Sequence, residues 1–157
     1  MEAGKAALIL AAVGGNLFLG GAYAYQKPSP SDFGSVPASL HSYLLVAAVG
    51  AYVCHLAFLA ILASQAREES VYWIAAACVS VFVAAEAAFF PLLRSSIKSG
   101  EKWRTRALLL AAAAPMVVLA WIGVDSKGPG AGWMAGLGTA AAVHFFVNDA
   151  LLFGAMF

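Results

Sequence analysis

The sequence contains few charged residues. Of its 157 residues only 11% are Asp, Glu, Lys or Arg, whereas 62% are hydrophobic. That much apolar sequence excludes an intrinsically disordered chain, and the long uncharged runs exclude an ordinary soluble domain. The formal net charge is +1, so the chain lacks the basic field that would favour nucleic acid as a partner.

Cysteine and histidine are also scarce. The two cysteines, Cys54 and Cys78, lack the CxxC spacing of redox and zinc sites, and we expect small core residues at both positions. The chain has no GxxxxGK[ST], HExxH, GxSxG or CxxCH motif. Its three histidines are too few for the histidine clusters of membrane di-iron enzymes. A lipid-modifying enzyme is still compatible with this sequence, but no motif in it indicates a particular reaction.

Five long apolar runs fill the chain instead. A helix needs about 20 apolar residues to cross the hydrocarbon core, and continuous runs favour helices over the alternating strands of a barrel. We therefore predict an all-α, multi-pass transmembrane helical bundle that forms a single domain over residues 1–157. The first run also resembles a cleavable signal peptide, but we count it as a span. The predicted spans are 5–25, 41–64, 71–93, 106–124 and 133–155.

Basic residues predict the orientation of this bundle. Short cytoplasmic loops of membrane proteins are rich in Lys and Arg. The segment 94–106 holds five such residues and Lys27 lies on the same side, against Lys5, Arg67 and Lys127 on the other. An integral membrane protein with its N-terminus outside and its C-terminus in the cytoplasm is therefore expected.

Several predicted spans carry polar side chains far from their ends. An acidic or basic residue at the centre of a transmembrane helix costs about 2.5–3.5 kcal/mol on insertion scales, so such residues tend to face one another, a cavity or a ligand. Helix rise places the two acidic groups at one depth and two of the histidines deeper, near the midplane. The candidate ligand- or ion-binding residues are Asn16, His55, Glu86, His144, Asn148 and Asp149.

The fifth span shows how one face could be built. Gly136, Ala140, His144 and Asn148 recur at every fourth position, which predicts one stripe along a helix. Small residues permit close helix approach, so the stripe is expected to face a helix contact. Asp149 follows one residue later, rotated by about 100°, and is expected to face a neighbouring groove or the inner interface.

Glu86 is the strongest single candidate. It shares a helix side with Phe82, Phe89 and Phe90 and precedes Pro91, which cannot donate to the helix ladder. A carboxyl group buried in a membrane can bind protons or cations, or it can simply hold helices together through a hydrogen bond. Both interpretations stay open at this stage.

We therefore expect a buried polar centre that binds or transports protons, small cations or a small ligand. One alternative is an electron-transfer module that holds haem b or another metal cofactor through His55 and His144. Another is a structural or accessory subunit of a larger membrane complex. The sequence names no particular cofactor. Expected partners are membrane lipid and either a larger membrane complex or further copies of the chain.

The layout resembles the translocator (tryptophan-rich sensory) family. The shared features are five spans and a first helix of small residues that ends in Tyr25-Gln26-Lys27-Pro28 before a proline-bearing loop. The resemblance implies a porphyrin or sterol pocket between the helices. That family has a tryptophan-rich loop and second helix, whereas this loop has no Trp and the chain has four in all. We therefore assign no family.

Overall fold

The structure is a computed structural model that describes residues 2–27, Asp32 and residues 36–153, with the backbone alone for residues 152 and 153. Five α-helices follow one another and the last continues into a π-helical segment, so the predicted all-α bundle is confirmed. Residues 154 and 155 of the fifth predicted span lie outside the described residues. The elements are α1 (Ala3–Gln26), α2 (Ala38–Ser64), α3 (Glu69–Ser99), α4 (Lys102–Val124), α5 (Ala131–Val143) and the π segment (His144–Phe153).

The helices are longer than the hydrophobic runs within them. α3 continues to Ser99 and α4 begins at Lys102, so the basic segment 94–106 is mostly helical and is not the loop that its composition suggests. Lys and Arg are good helix formers. A charged residue therefore indicates where a helix leaves the hydrocarbon core of the membrane, and not where the helix itself ends. The chain reverses at Gly100, whose φ of 75° is a left-handed conformation that glycine adopts readily.

The helices form a ring in the order α1, α3, α4, α5, α2. Extensive contacts join α1 to α3, α3 to α4 and α4 to α5, and α5 in turn packs on α2. The ring closes poorly, because α1 and α2 make few contacts with each other. A seam therefore runs between the first two helices. We call the end of the bundle that carries Lys27 and the segment 94–106 the basic end.

The outer surface of this ring is apolar. Large side chains such as Leu10, Val46 and Trp121 are each more than 70% exposed, which a soluble protein does not tolerate over so wide a surface. The four helices α1–α4 are each long and apolar enough to cross a bilayer. The chain is therefore an integral membrane protein.

Glycines allow close contacts between helices, as Gly15 and Gly123 illustrate. A Cβ atom at Gly15 of α1 would lie 3.0 Å from Val83 Cγ2 of α3. At Gly123 of α4 it would lie 2.6 Å from the backbone oxygen of Met134 in α5. In hydrocarbon, helices associate mainly through such close packing, because lipid tails are as apolar as the side chains they replace.

We expect Gly123→Ala to destabilise the bundle by about 1–3 kcal/mol, the usual cost of overpacking, because a backbone atom of α5 must move. Gly136→Ala is the matched control, because a Cβ there meets nothing within 4 Å. Thermal unfolding in detergent can be followed with a thiol-reactive fluorophore that reports exposure of the half-buried Cys54 and Cys78. Equal midpoints for the two variants would contradict the close contact.

Pro91 explains one contact between α1 and α3. Proline has no backbone N–H, so the carbonyl of Ala87, four residues earlier, loses its helical partner. The Gln26 side chain at the end of α1 donates to that carbonyl from Nε2 at 2.8 Å. A free carbonyl is costly in a membrane, and this bond therefore fixes the end of α1 against α3.

The π segment changes which residues of the fifth span face inward. Gly136 and Ala140 are exposed, whereas His144 is buried, so the predicted stripe of Gly136, Ala140, His144 and Asn148 does not form one inward face. Gly136 and Ala140 lie in the α-helical part of the span, on the side opposite the buried Met134 and Gly138. From His144 onward, i→i+5 hydrogen bonding widens the turn and shifts the later residues.

Candidate functional site

A cavity lies behind the seam between α1 and α2. Its volume is about 600 Å³, within the usual range of roughly 300–1,000 Å³ for small-molecule sites. Gly20, Leu45, Val49 and Val53 line it and are also exposed on the outer surface of the bundle. The cavity therefore opens sideways, towards the lipid.

Most of the cavity wall is apolar. Twelve of its seventeen lining residues are aliphatic, aromatic or glycine. They come from all four membrane-spanning helices and from the π segment, and the deepest of them include Phe82 and Phe145, whose ring centroids lie 4.8 Å apart. The five polar lining residues are Asn16, Tyr23, Tyr52, Glu86 and Asp149.

Glu86 is central to these polar residues. The Tyr23 hydroxyl of α1 donates to Glu86 Oε2 at 2.5 Å. Asp149 and Tyr52 both lie within electrostatic range of Glu86. Glu86 also lies on the helix side that carries Phe82, so the third span presents a carboxyl group within an aromatic wall.

The π segment places Asp149 on the same cavity. In an α-helix residues 144 and 149 would lie about 140° apart, whereas i→i+5 bonding brings them onto one side. Here His144 Nε2 lies 3.5 Å from Asp149 Oδ1, beyond good hydrogen-bond geometry. The Asn148 amide nitrogen lies 3.0 Å from His144 Nδ1, and an amide nitrogen can only donate. The proton of a neutral His144 is therefore on Nε2, which faces Asp149.

Asn16 and Tyr52 form a polar contact across the seam. The Tyr52 hydroxyl of α2 donates to Asn16 Oδ1 of α1, and Asn16 Nδ2 donates to the carbonyl of Ala12 in its own helix. The amide oxygen and the amide nitrogen of Asn16 are thus both used. This bond bridges the seam where α1 and α2 otherwise make few contacts, and it lies at one end of the cavity.

The two histidines of the predicted centre do not line this cavity. The rings of Phe82 and Phe145 lie between them: the ring centroids are 5.2 Å apart for His55 and Phe82, and 5.2 Å apart for His144 and Phe145. Both imidazoles are buried. No cluster of three or more His, Cys, Asp or Glu suited to a metal ion occurs in the described part of the chain. The geometry therefore offers haem no slot between His55 and His144, and the haem hypothesis stays an unsupported prediction.

An ion pair holds the basic end of the bundle beside the cavity. Arg94 Nε lies 2.8 Å from Asp32 Oδ1, and the guanidinium also donates to the carbonyl oxygens of Gln26 and Lys27. Its central carbon lies 5.9 Å from the ring centroid of Phe90, a residue of the cavity wall. Arg94 thus ties the end of α1 and Asp32 to α3 and is already paired with a carboxylate.

The sequence suggested six candidate residues. Asn16, Glu86 and Asp149 line the cavity, Asn148 contacts His144, and the two histidines lie behind the aromatic wall. Tyr23 and Tyr52, which also line the cavity, were not among the candidates. A helical spacing of i, i+3, i+4 and i+7 could have suggested the former, because the α1 residues of the cavity are Asn16, Leu19, Gly20 and Tyr23.

Comparison with known proteins does not assign a function to this site. No family model matches the chain, and neither a curated protein nor a solved structure matches it.

Proposed function

We propose that this membrane protein binds an amphipathic small molecule with a cationic amino group, which enters the cavity sideways from the lipid. The observation that carries the proposal is the pair of carboxyl groups, Glu86 and Asp149, in a cavity whose remaining wall is mostly apolar. Transport of the bound molecule across the bilayer is a compatible extension of this proposal.

The charges of the cavity favour a cation. Among the described residues that line it there is no Lys or Arg, and Arg94 at its end is engaged by Asp32. Charged groups buried in proteins are paired, because isolated charges are costly in a medium of low dielectric constant. His144 lies beside Asp149, but no basic side chain faces Glu86 from within the cavity. A protonated amine would supply the missing charge.

The shape of the cavity favours an amphiphile over a bare ion. A small metal ion needs polar ligands on several sides, whereas twelve of the lining residues offer only apolar contact. Such walls suit the hydrocarbon part of a molecule that is already dissolved in the membrane. The sideways opening removes the need for that molecule to cross water before it binds.

The test is equilibrium binding of radiolabelled dodecylamine, dodecanol and dodecanoate to the full chain in phosphatidylcholine nanodiscs, with empty nanodiscs as the reference. The three probes share one chain and differ in charge. We expect the amine to bind at least about tenfold more tightly than the alcohol, since a hydrogen bond to a charged group contributes about 1.5–3 kcal/mol. Dodecanoate should not bind above the reference. Equal binding of all three would overturn the proposal.

A further inference from the structure

A second cavity continues the seam beyond the first. It has a volume of about 520 Å³ and lies between α1 and α2 on the side away from the basic end. Its walls come from Leu8 to Leu17 on α1 and from Tyr52 to Ala63 on α2. Apart from Asn16 and Tyr52, every residue that lines it is Ala, Val, Leu or Ile.

The two cavities meet at the bridge between α1 and α2. Asn16 and Tyr52 line both of them. Since the Asn16 amide already bonds to Tyr52 and to the Ala12 carbonyl, the bridge presents no amide group that lacks a partner. A hydrocarbon chain can therefore lie across it, on its lipid side, without leaving a buried polar group unsatisfied.

We infer that the seam is one elongated site, in which the second cavity holds the long unbranched hydrocarbon chain of the molecule whose amino group lies at Glu86 and Asp149. This inference rests on the proposed function and narrows the ligand class to single-chain amphiphilic amines. Along α1 the combined site runs from Leu8 to Tyr23, about 22 Å at a rise of 1.5 Å per residue. An extended sixteen-carbon chain has nearly that length.

The second cavity recognises the hydrocarbon chain of the ligand by its shape, and not by removing that chain from water. A chain in lipid is already in an apolar medium, so its transfer into the seam gains little hydrophobic free energy. What the seam provides is a narrow channel with two helical walls, next to a fixed charge that anchors one end. A compact polycyclic amine would fit the first cavity but would leave the second one unused.

Photolabelling of the unmodified protein tests the position of the chain. The probe is hexadecylamine with a diazirine at its terminal carbon, in phosphatidylcholine nanodiscs, and the labelled positions are mapped by mass spectrometry. We expect label on residues 8–13 of α1 and 56–63 of α2, displaced by excess unlabelled hexadecylamine. Displaceable label on the outward faces of α3 and α4, and none in the second cavity, would overturn the inference.

A blocking variant tests the same point by affinity. Ala60 lines the second cavity, and Ala60→Phe should weaken hexadecylamine binding at least about tenfold, the scale of a steric misfit in an apolar pocket. Hexylamine, whose chain ends within the first cavity, should bind unchanged. Ala114→Phe, at an exposed position of α4, is the matched control and should affect neither probe.

The outcomes separate the two proposals. If Ala60→Phe leaves hexadecylamine affinity unchanged while both amines still bind more tightly than the corresponding alcohols, the elongated site is wrong and the proposed function stands. If neither amine binds more tightly than its alcohol, the proposed function fails and the elongated site fails with it.

Discussion

Replacing Glu86 with glutamine should weaken dodecylamine binding at least about 30-fold, since removing one partner of a buried, hydrogen-bonded charge pair costs 2 kcal/mol or more. Glutamine keeps a side-chain oxygen that can accept the Tyr23 hydroxyl bond now made to Oε2. The fold should therefore survive, and the loss should come from charge alone. Binding in nanodiscs, compared with the thermal midpoint of each variant, measures both effects.

Two further variants make this result specific. Asp149→Asn should weaken binding less than Glu86→Gln. His144 Nε2 already lies 3.5 Å from the Asp149 carboxyl group, so that group depends less on the ligand amine for a favourable neighbour. Glu68→Gln removes the same charge at an exposed position before α3 and should change nothing. Full affinity in the Glu86→Gln protein would refute a cation site at this carboxyl group.

Filling the cavity mouth should weaken ligand binding without disturbing the bundle. Gly20 lines the cavity, and a Cβ placed there meets no atom within 4 Å. A leucine at this position therefore has room to extend into the space proposed for the ligand, and its helix propensity exceeds that of glycine. We expect Gly20→Leu to weaken dodecylamine binding at least about tenfold by steric exclusion, with an equal or higher thermal midpoint.

The neighbouring glycine provides the control. A Cβ at Gly21 also meets nothing within 4 Å, but Gly21 does not line the cavity. Gly21→Leu makes the same chemical change about 100° around the helix and should leave affinity unaltered. If both variants bind dodecylamine like the unmodified protein, the ligand does not occupy the space between α1 and α2. If both variants lose binding equally, the loss comes from a general disturbance of α1 and not from filling the cavity.

The sequence was most informative for residues whose burial costs free energy regardless of how the helices are arranged. Glu86 and Asp149 could be selected as candidates because a carboxyl group within an apolar run has to find a partner wherever the helices lie. The same reasoning selected His55 and His144, but it could not show that Phe82 and Phe145 lie between them. Which side of a helix a residue occupies follows from spacing, whereas which helix it meets does not.

The π segment marks another limit of sequence reasoning. The stripe from Gly136 to Asn148 assumed one regular helix, and regular spacing is all that a periodicity argument can use. The change to i→i+5 bonding at His144 brings His144 and Asp149 to within 3.5 Å and places Asp149 on the cavity. No residue type in the segment 144–153 predicts this change.

The sequence by itself determined that the chain is helical and crosses a membrane, because a long apolar run meets both conditions without reference to any other part of the protein. Only the tertiary structure decided that α1 and α2 stand apart and leave a site open to lipid. Lipid and protein interior are equally apolar, so an inward face and an outward face of these helices carry the same kinds of side chain. Hydrophobicity therefore does not predict which helices pack on one another. Close packing at glycines and a few polar bonds determine that instead.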